Sequence, residues 1–130
     1  MAPSDEARQM LAAATKDWRA LSGMADPDVF ADEIFGFHAQ QATEKALKAW
    51  LSFLGVEYPR THDISLLIEM LREQGQDVEG LHDLIEFNPY AVQYRYEAFD
   101  EIGNGLDRGA VNERIANLLR EVEAIIEVDR

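Results

Sequence analysis

An all-α chain folded as an antiparallel, up-and-down bundle of four to five helices is the architecture this sequence predicts. Three observations carry it. Apolar residues recur at spacings of three and four in every long segment, as in Met10, Leu11, Ala14, Trp18 and Leu21, and again in Val111, Ile115, Leu118, Leu119, Val122, Ile125 and Ile126. No segment alternates apolar and polar residues as a half-buried strand would. Glycine, proline and aspartate fall between the periodic segments, where helices start and stop.

The elements follow in order. Ser4 is a candidate cap for the first helix, with Asp5 and Glu6 in the turn where acidic side chains meet the positive end of the helix dipole. Gly23 is its candidate stop. Asp26 followed by Pro27 reads as the next start, which predicts a second helix over about 27–54 ending at Gly55. The link VEYPRT is extended, because Pro59 disfavours helical geometry at Tyr58. Thr61 or Asp63 caps a third helix with Ile64, Leu67, Ile68 and Leu71 on one face, closed by Gly75. A fourth helix begins near Leu81, and Pro89 kinks or breaks it. EAFDEIGNGLD reads as a loop, and the last helix spans about 107–128.

Composition sets the outer limits. At 130 residues the chain is predicted to be one domain, 1–130, large enough for a core of its own. The best apolar run is interrupted by Lys45 and Lys48, so no membrane span is expected, and the start MAPSDEARQ does not read as a signal peptide. The absence of cysteine excludes disulfides, thiolate chemistry and zinc–sulfur sites. A cytoplasmic location is the default expectation. The net charge of −13 argues against direct nucleic-acid binding by the bulk surface. From Ile34 to Arg60, however, Lys45, Lys48 and Arg60 outnumber Glu44 and Glu57, so an anion is expected to bind there if anywhere.

That segment, IFGFHAQQATEKALKAWLSFL followed by GVEYPRTHD, organises the chain. On a helix, Phe35, Ala39, Ala42, Ala46, Ala49 and Phe53 form a small-residue face for close approach of another helix. His38, Gln41, Lys45 and Lys48 form a polar line beside it. Two readings compete: a solvated edge carrying the i,i+4 pair Glu44–Lys48, or a polar pocket or self-association surface. If the T-H-D turn packs back against the helix, His62 joins the group. The Ala-rich face and the Ile/Leu/Val seam of the last helix together predict a homodimer.

Other chemistry finds little support. His38, His62 and His82 make neither HExxH nor a His-x3-His pair, so no metal site is expected. The serines lie in no nucleophile elbow, and no glycine-rich phosphate loop is present. Asn88-Pro89-Tyr90 through Tyr94-Arg95-Tyr96 either stacks a base and holds a phosphate or plugs a helix end with tyrosine rings.

FHAQQATEKALKAWL, GVEYPRTHDISLLIEML and FNPYAVQYRYEAF together resemble the HEPN domain, named for higher eukaryotes and prokaryotes nucleotide-binding, over nearly the whole chain. The resemblance implies a compact helical bundle, commonly a homodimer, often encoded beside or fused to a small nucleotidyltransferase in toxin–antitoxin or RNA-processing systems. The family's ribonuclease branch uses an arginine followed four to six residues later by a histidine. Arg95 stands where that arginine would fall, but no histidine follows it, His82 being the last, and Arg72 precedes His82 by too long a gap. The chain is more similar to the branch with an arginine–tyrosine pair, although Glu97 stands where that branch often has proline.

The expectation is therefore a non-catalytic HEPN protein that binds a nucleotide, a nucleotidyltransferase partner, or both, with no catalytic residue and no cofactor assigned. Lys45, Lys48 and Arg95 are its expected anion contacts, and His38, Gln41, His62 and Tyr94 supply base recognition or pocket polarity. A ribonuclease toxin with a noncanonical site, in which His38 or His62 replaces the missing histidine, is the first alternative. A purely structural interaction module is the second.

Overall fold

The computed structural model describes residues 3–93 and 106–127, all of whose regular elements are helical. They are α1 (Pro3–Ser22), α2 (Asp32–Phe53), α3 (Ile64–Glu73), a 3-10 helix (Glu79–Phe87), α4 (Asn88–Gln93) and α5 (Arg108–Glu127).

Side-chain bonds fix how the three long helices run. Ser52 Oγ reaches Glu6 Oε2 at 3.5 Å while Lys45 Nζ reaches Asp17 Oδ2 at 2.7 Å, so α2 descends against α1. Trp18 Nε1 donates to the Asn112 carbonyl at 3.0 Å and Arg8 Nε lies 4.0 Å from Glu127 Oε1, so α5 is also antiparallel to α1. The Ala-rich line explains the close packing. Phe35, Ala39, Ala42, Ala46 and Ala49 are all fully buried, where methyl groups let neighbouring backbones approach. Val111, Ile115, Leu118, Leu119, Val122 and Ile126 are buried in the same cluster. Most of both faces from which a dimer was expected is thus buried within one chain, with Phe53 and Ile125 partly exposed at their ends.

Gly55 and Gly75 stop α2 and α3 as predicted. Each has positive φ (76° and 77°), and the following residue's amide reaches back to the last turn, Val56 to Leu51 O at 3.0 Å and Gln76 to Leu71 O at 3.1 Å. α2 begins later than predicted, because the Asp-Pro signal builds a separate turn. Asp26 Oδ1 accepts the Asp28 amide at 2.9 Å and the Asp26 carbonyl accepts Phe30 N at 2.9 Å. Ala31, with ψ of 154°, then breaks the run before Asp32. α1 starts at Pro3, ahead of the proposed Ser4 cap. The break at Pro89 falls at the junction of the 3-10 helix with α4.

Two features of the core had no forecast. Arg108 is buried at the start of α5 and ties three segments together. Its guanidinium donates to Met24 O (2.7 Å), Phe30 O (2.6 Å) and Asp32 Oδ1 (2.8 Å), and lies 4.9 Å from the Phe35 ring centroid. Gly36 gives α2 a slot without a side chain, into which the buried Tyr90 ring of α4 fits.

The segment between α2 and α3 positions the site. From Gly55 at the foot of α2 it climbs back along the helix, meeting Lys48 with the Thr61 carbonyl and Glu44 with the His62 ring. α3 therefore starts beside the middle of α2, and by its end Gln76 Oε1 accepts from Trp50 Nε1 at 3.2 Å.

Candidate functional site

The polar line on α2 divides into two ion-paired groups. In the first, α1 contributes Asp17, whose carboxylate meets Lys45 Nζ at 2.7 Å and His38 Nδ1 at 3.1 Å. In the second, Glu44 is the hub. Its Oε1 accepts from Gln40 Nε2 at 2.8 Å and from His62 Nδ1 at 2.8 Å, while its Oε2 meets Lys48 Nζ at 3.1 Å. Gln41 extends the chain outward by donating from Nε2 to Gln40 Oε1 at 2.7 Å.

The Glu44 side chain is 5% exposed and that of Lys48 13%, so this i,i+4 pair is not the solvated edge of the simpler reading. A buried carboxylate needs every available donor, and Glu44 has three. Lys48 is equally engaged, since it also donates to the Thr61 carbonyl at 3.0 Å and lies 5.5 Å from the Tyr58 ring centroid. Burial, followed by the charges of Glu6 and Glu44, raises the Tyr58 hydroxyl above its ordinary pKa, so the ring beside Lys48 stays neutral.

His62 is the open member of the group, its side chain 52% exposed. A carboxylate only accepts, so a neutral His62 carries its proton on Nδ1 and leaves Nε2 as an acceptor on the exposed side. The loop that presents it is fixed from both sides. Gln40 Nε2 lies 3.4 Å from the His62 carbonyl, and Thr61 Oγ1 accepts the Asp63 amide at 3.0 Å. Asp63 Oδ1 caps α3 through Ser65 N at 2.9 Å and accepts Asn88 Nδ2 at 3.0 Å, while Asn88 Oδ1 accepts Ile64 N at 2.8 Å. The hydrogen bond from the Ser65 hydroxyl, with that of Asn88 and two backbone amides, holds the Asp63 carboxyl below its ordinary pKa. The T-H-D and F-N-P-Y motifs, distant in sequence, are therefore one assembly.

Of the sequence-predicted residues, the structure joins His62 and Lys48 through Glu44, links Gln41 to them through Gln40, and places His38 and Lys45 on Asp17. Tyr94 and Arg95 lie outside the described residues, as does most of the acidic segment read as a loop. Sequence reasoning passed over Gln40, Glu44 as a buried hub, Asp17, and the clamp that Asn88 forms on the T-H-D turn. The first two had a signal, since Gln40, Glu44 and Lys48 repeat at intervals of four along one helix face. His82 is exposed and makes no hydrogen bond or ion pair with any member of the cluster. Among the described residues no group of three or more His, Asp or Glu side chains is arranged to hold a metal ion, and no helix is long and apolar enough to cross a membrane.

Comparison with known proteins agrees with the motifs. Neither the curated proteins nor the solved structures gave a match. The family model described as "HEPN domain" matches residues 7–129, which takes in every helix that builds this cluster, and the chain belongs to that family.

Proposed function

We propose that this HEPN domain is a nucleotide-binding module whose recognition edge is the outer side of the Glu44 cluster. One observation carries the reading: a half-exposed imidazole, His62, held by a buried and fully partnered carboxylate at 2.8 Å. A side chain oriented from below loses little freedom on binding, so its open nitrogen offers a fixed hydrogen-bonding partner to a base. Gln41 adds an amide oxygen, and Lys45 and His38 lie further along the same edge of α2. Tyr94 and Arg95 enter from the sequence alone. A nucleotidyltransferase that docks on this edge with its own nucleotide is the partner-level form of the same proposal.

Isothermal titration with ATP and GTP tests it. Binding that weakens about tenfold in His62→Ala, the effect of losing one well-placed hydrogen bond, is the expected result. No heat at millimolar nucleotide refutes it.

The Glu44–His62 pair also supports a second reading, a ribonuclease with a noncanonical site. A carboxylate-oriented histidine with one nitrogen open is the form a general acid or base takes, and it stands in a chain that has no histidine after Arg95. Cleavage of single-stranded RNA that disappears in His62→Ala would favour that reading over simple binding.

A further inference from the structure

Of the expected anion contacts, Lys45 and Lys48 fall among the described residues, and both are engaged with carboxylates. Lys48 is nearly enclosed and directs its ammonium to Glu44 and Thr61 O, and Lys45 faces Asp17 at 2.7 Å. A phosphate at either position would have to displace an anion already in contact. Arg60 differs. It is exposed and makes no hydrogen bond or ion pair with any described residue. It stands two positions before His62, at most about 7 Å away between Cα atoms, well within the reach of an arginine side chain.

We infer that Arg60, rather than Lys45 or Lys48, is the phosphate contact of the His62 edge, and that the ligand class is a nucleoside polyphosphate. The inference rests on the proposed nucleotide-binding reading. Thr61, His62 and Asp63, which follow Arg60, are anchored to Lys48, Gln40, Glu44 and Asn88, so the base of the Arg60 side chain springs from a fixed stretch. Of the nearby acids, Glu44 is neutralised by Lys48 and Asp63 is turned to the start of α3. Glu57, three positions before Arg60, is exposed and makes no ion pair with any described residue. Among the described residues the guanidinium is therefore without a counter-charge in contact, and its planar fork suits two oxygens of one phosphate.

The test compares ATP, adenosine and inorganic tripolyphosphate by isothermal titration against the wild type, Arg60→Ala and Lys45→Ala, at two salt concentrations. Arg60→Ala should weaken ATP and tripolyphosphate about tenfold or more and leave adenosine unchanged, with a shallower salt dependence. Its melting temperature should equal that of the wild type, since the side chain holds nothing in the fold. Lys45→Ala should weaken ATP far less. Wild-type ATP binding that persists in Arg60→Ala overturns the inference and leaves the nucleotide-binding reading standing. A wild type that binds none of the three ligands overturns that reading, and this inference with it.

Discussion

Glu44→Gln is the sharpest probe of the cluster, because it removes one charge and almost no volume. In the native protein the Glu44 carboxylate satisfies Gln40, His62 and Lys48, and Lys48 is 13% exposed. With the charge gone, the buried ammonium keeps only the Thr61 carbonyl and an amide oxygen that Gln40 and His62 also seek. Breaking a buried ion pair from one side costs about 3–5 kcal/mol, and the residual exposure of Lys48 points to the lower end, about 3 kcal/mol. For a chain of this size that lowers the melting temperature by about 10–15 °C. Lys48→Met leaves Glu44 with two donors and should cost about 2 kcal/mol. Glu44→Gln with Lys48→Met should cost less than the sum, by about 2 kcal/mol, because the second substitution removes the charge that the first strands. Urea unfolding followed by circular dichroism measures all three. Asp17→Asn is the contrast, since its partner Lys45 is 29% exposed and the loss should stay within about 1 kcal/mol. Single-variant losses under about 0.5 kcal/mol at Glu44 and Lys48, or strict additivity in the pair, would refute the reasoning.

Two further outcomes follow from Tyr90. A methyl group added at Gly36 would fall inside the van der Waals envelope of Tyr90 Cγ, Cδ1 and Cε1. The overpacking, about 1–3 kcal/mol, outweighs the gain of up to about 1 kcal/mol from replacing a mid-helix glycine, so Gly36→Ala should lower the urea midpoint, and an unchanged or higher one would disprove the close fit. Burial first, then Asp32, Glu86 and Glu33, pushes the Tyr90 hydroxyl up to about 12, above the ordinary tyrosine value of about 10 that the unfolded chain has. A raised folded pKa gives stability that is full below the unfolded value and is lost as pH climbs through the folded one. Stability should therefore fall between about pH 10 and 12. Tyr90→Phe should flatten that fall, and an identical alkaline slope in the variant would remove Tyr90 as its cause.

What the sequence revealed and what it concealed differ in range. Gly55 and Gly75 were legible as stops because a positive φ is a local demand. The buried stripes were legible because helical period is local too. Asp26-Pro27 misled, since the same pair starts a helix or closes a turn, and Ala31 decides between them. Arg108 left no trace, because two of its three acceptors are backbone carbonyls, which any residue type supplies. The site shows the same boundary. Residue type and spacing singled out His38, Gln41, Lys45, Lys48 and His62, yet which charges remain open depends on the path of the link from Gly55 to Asp63. That path brings Thr61 and His62 to Lys48 and Glu44, and thereby converts a line of apparent cations into a neutral buried pair. The same return leaves Arg60 at the surface without a hydrogen-bond or ion-pair partner among the described residues. A phosphate approaching this edge meets Coulomb attraction from a cation that no carboxylate already holds, so the residue to weigh for binding is set by pairing and not by charge count. Among the described residues Arg8, Lys45, Lys48, Arg72, Arg108 and Arg114 each meet a carboxylate, and an arginine without such a partner beside an oriented histidine is where an anionic ligand on this edge displaces no acid.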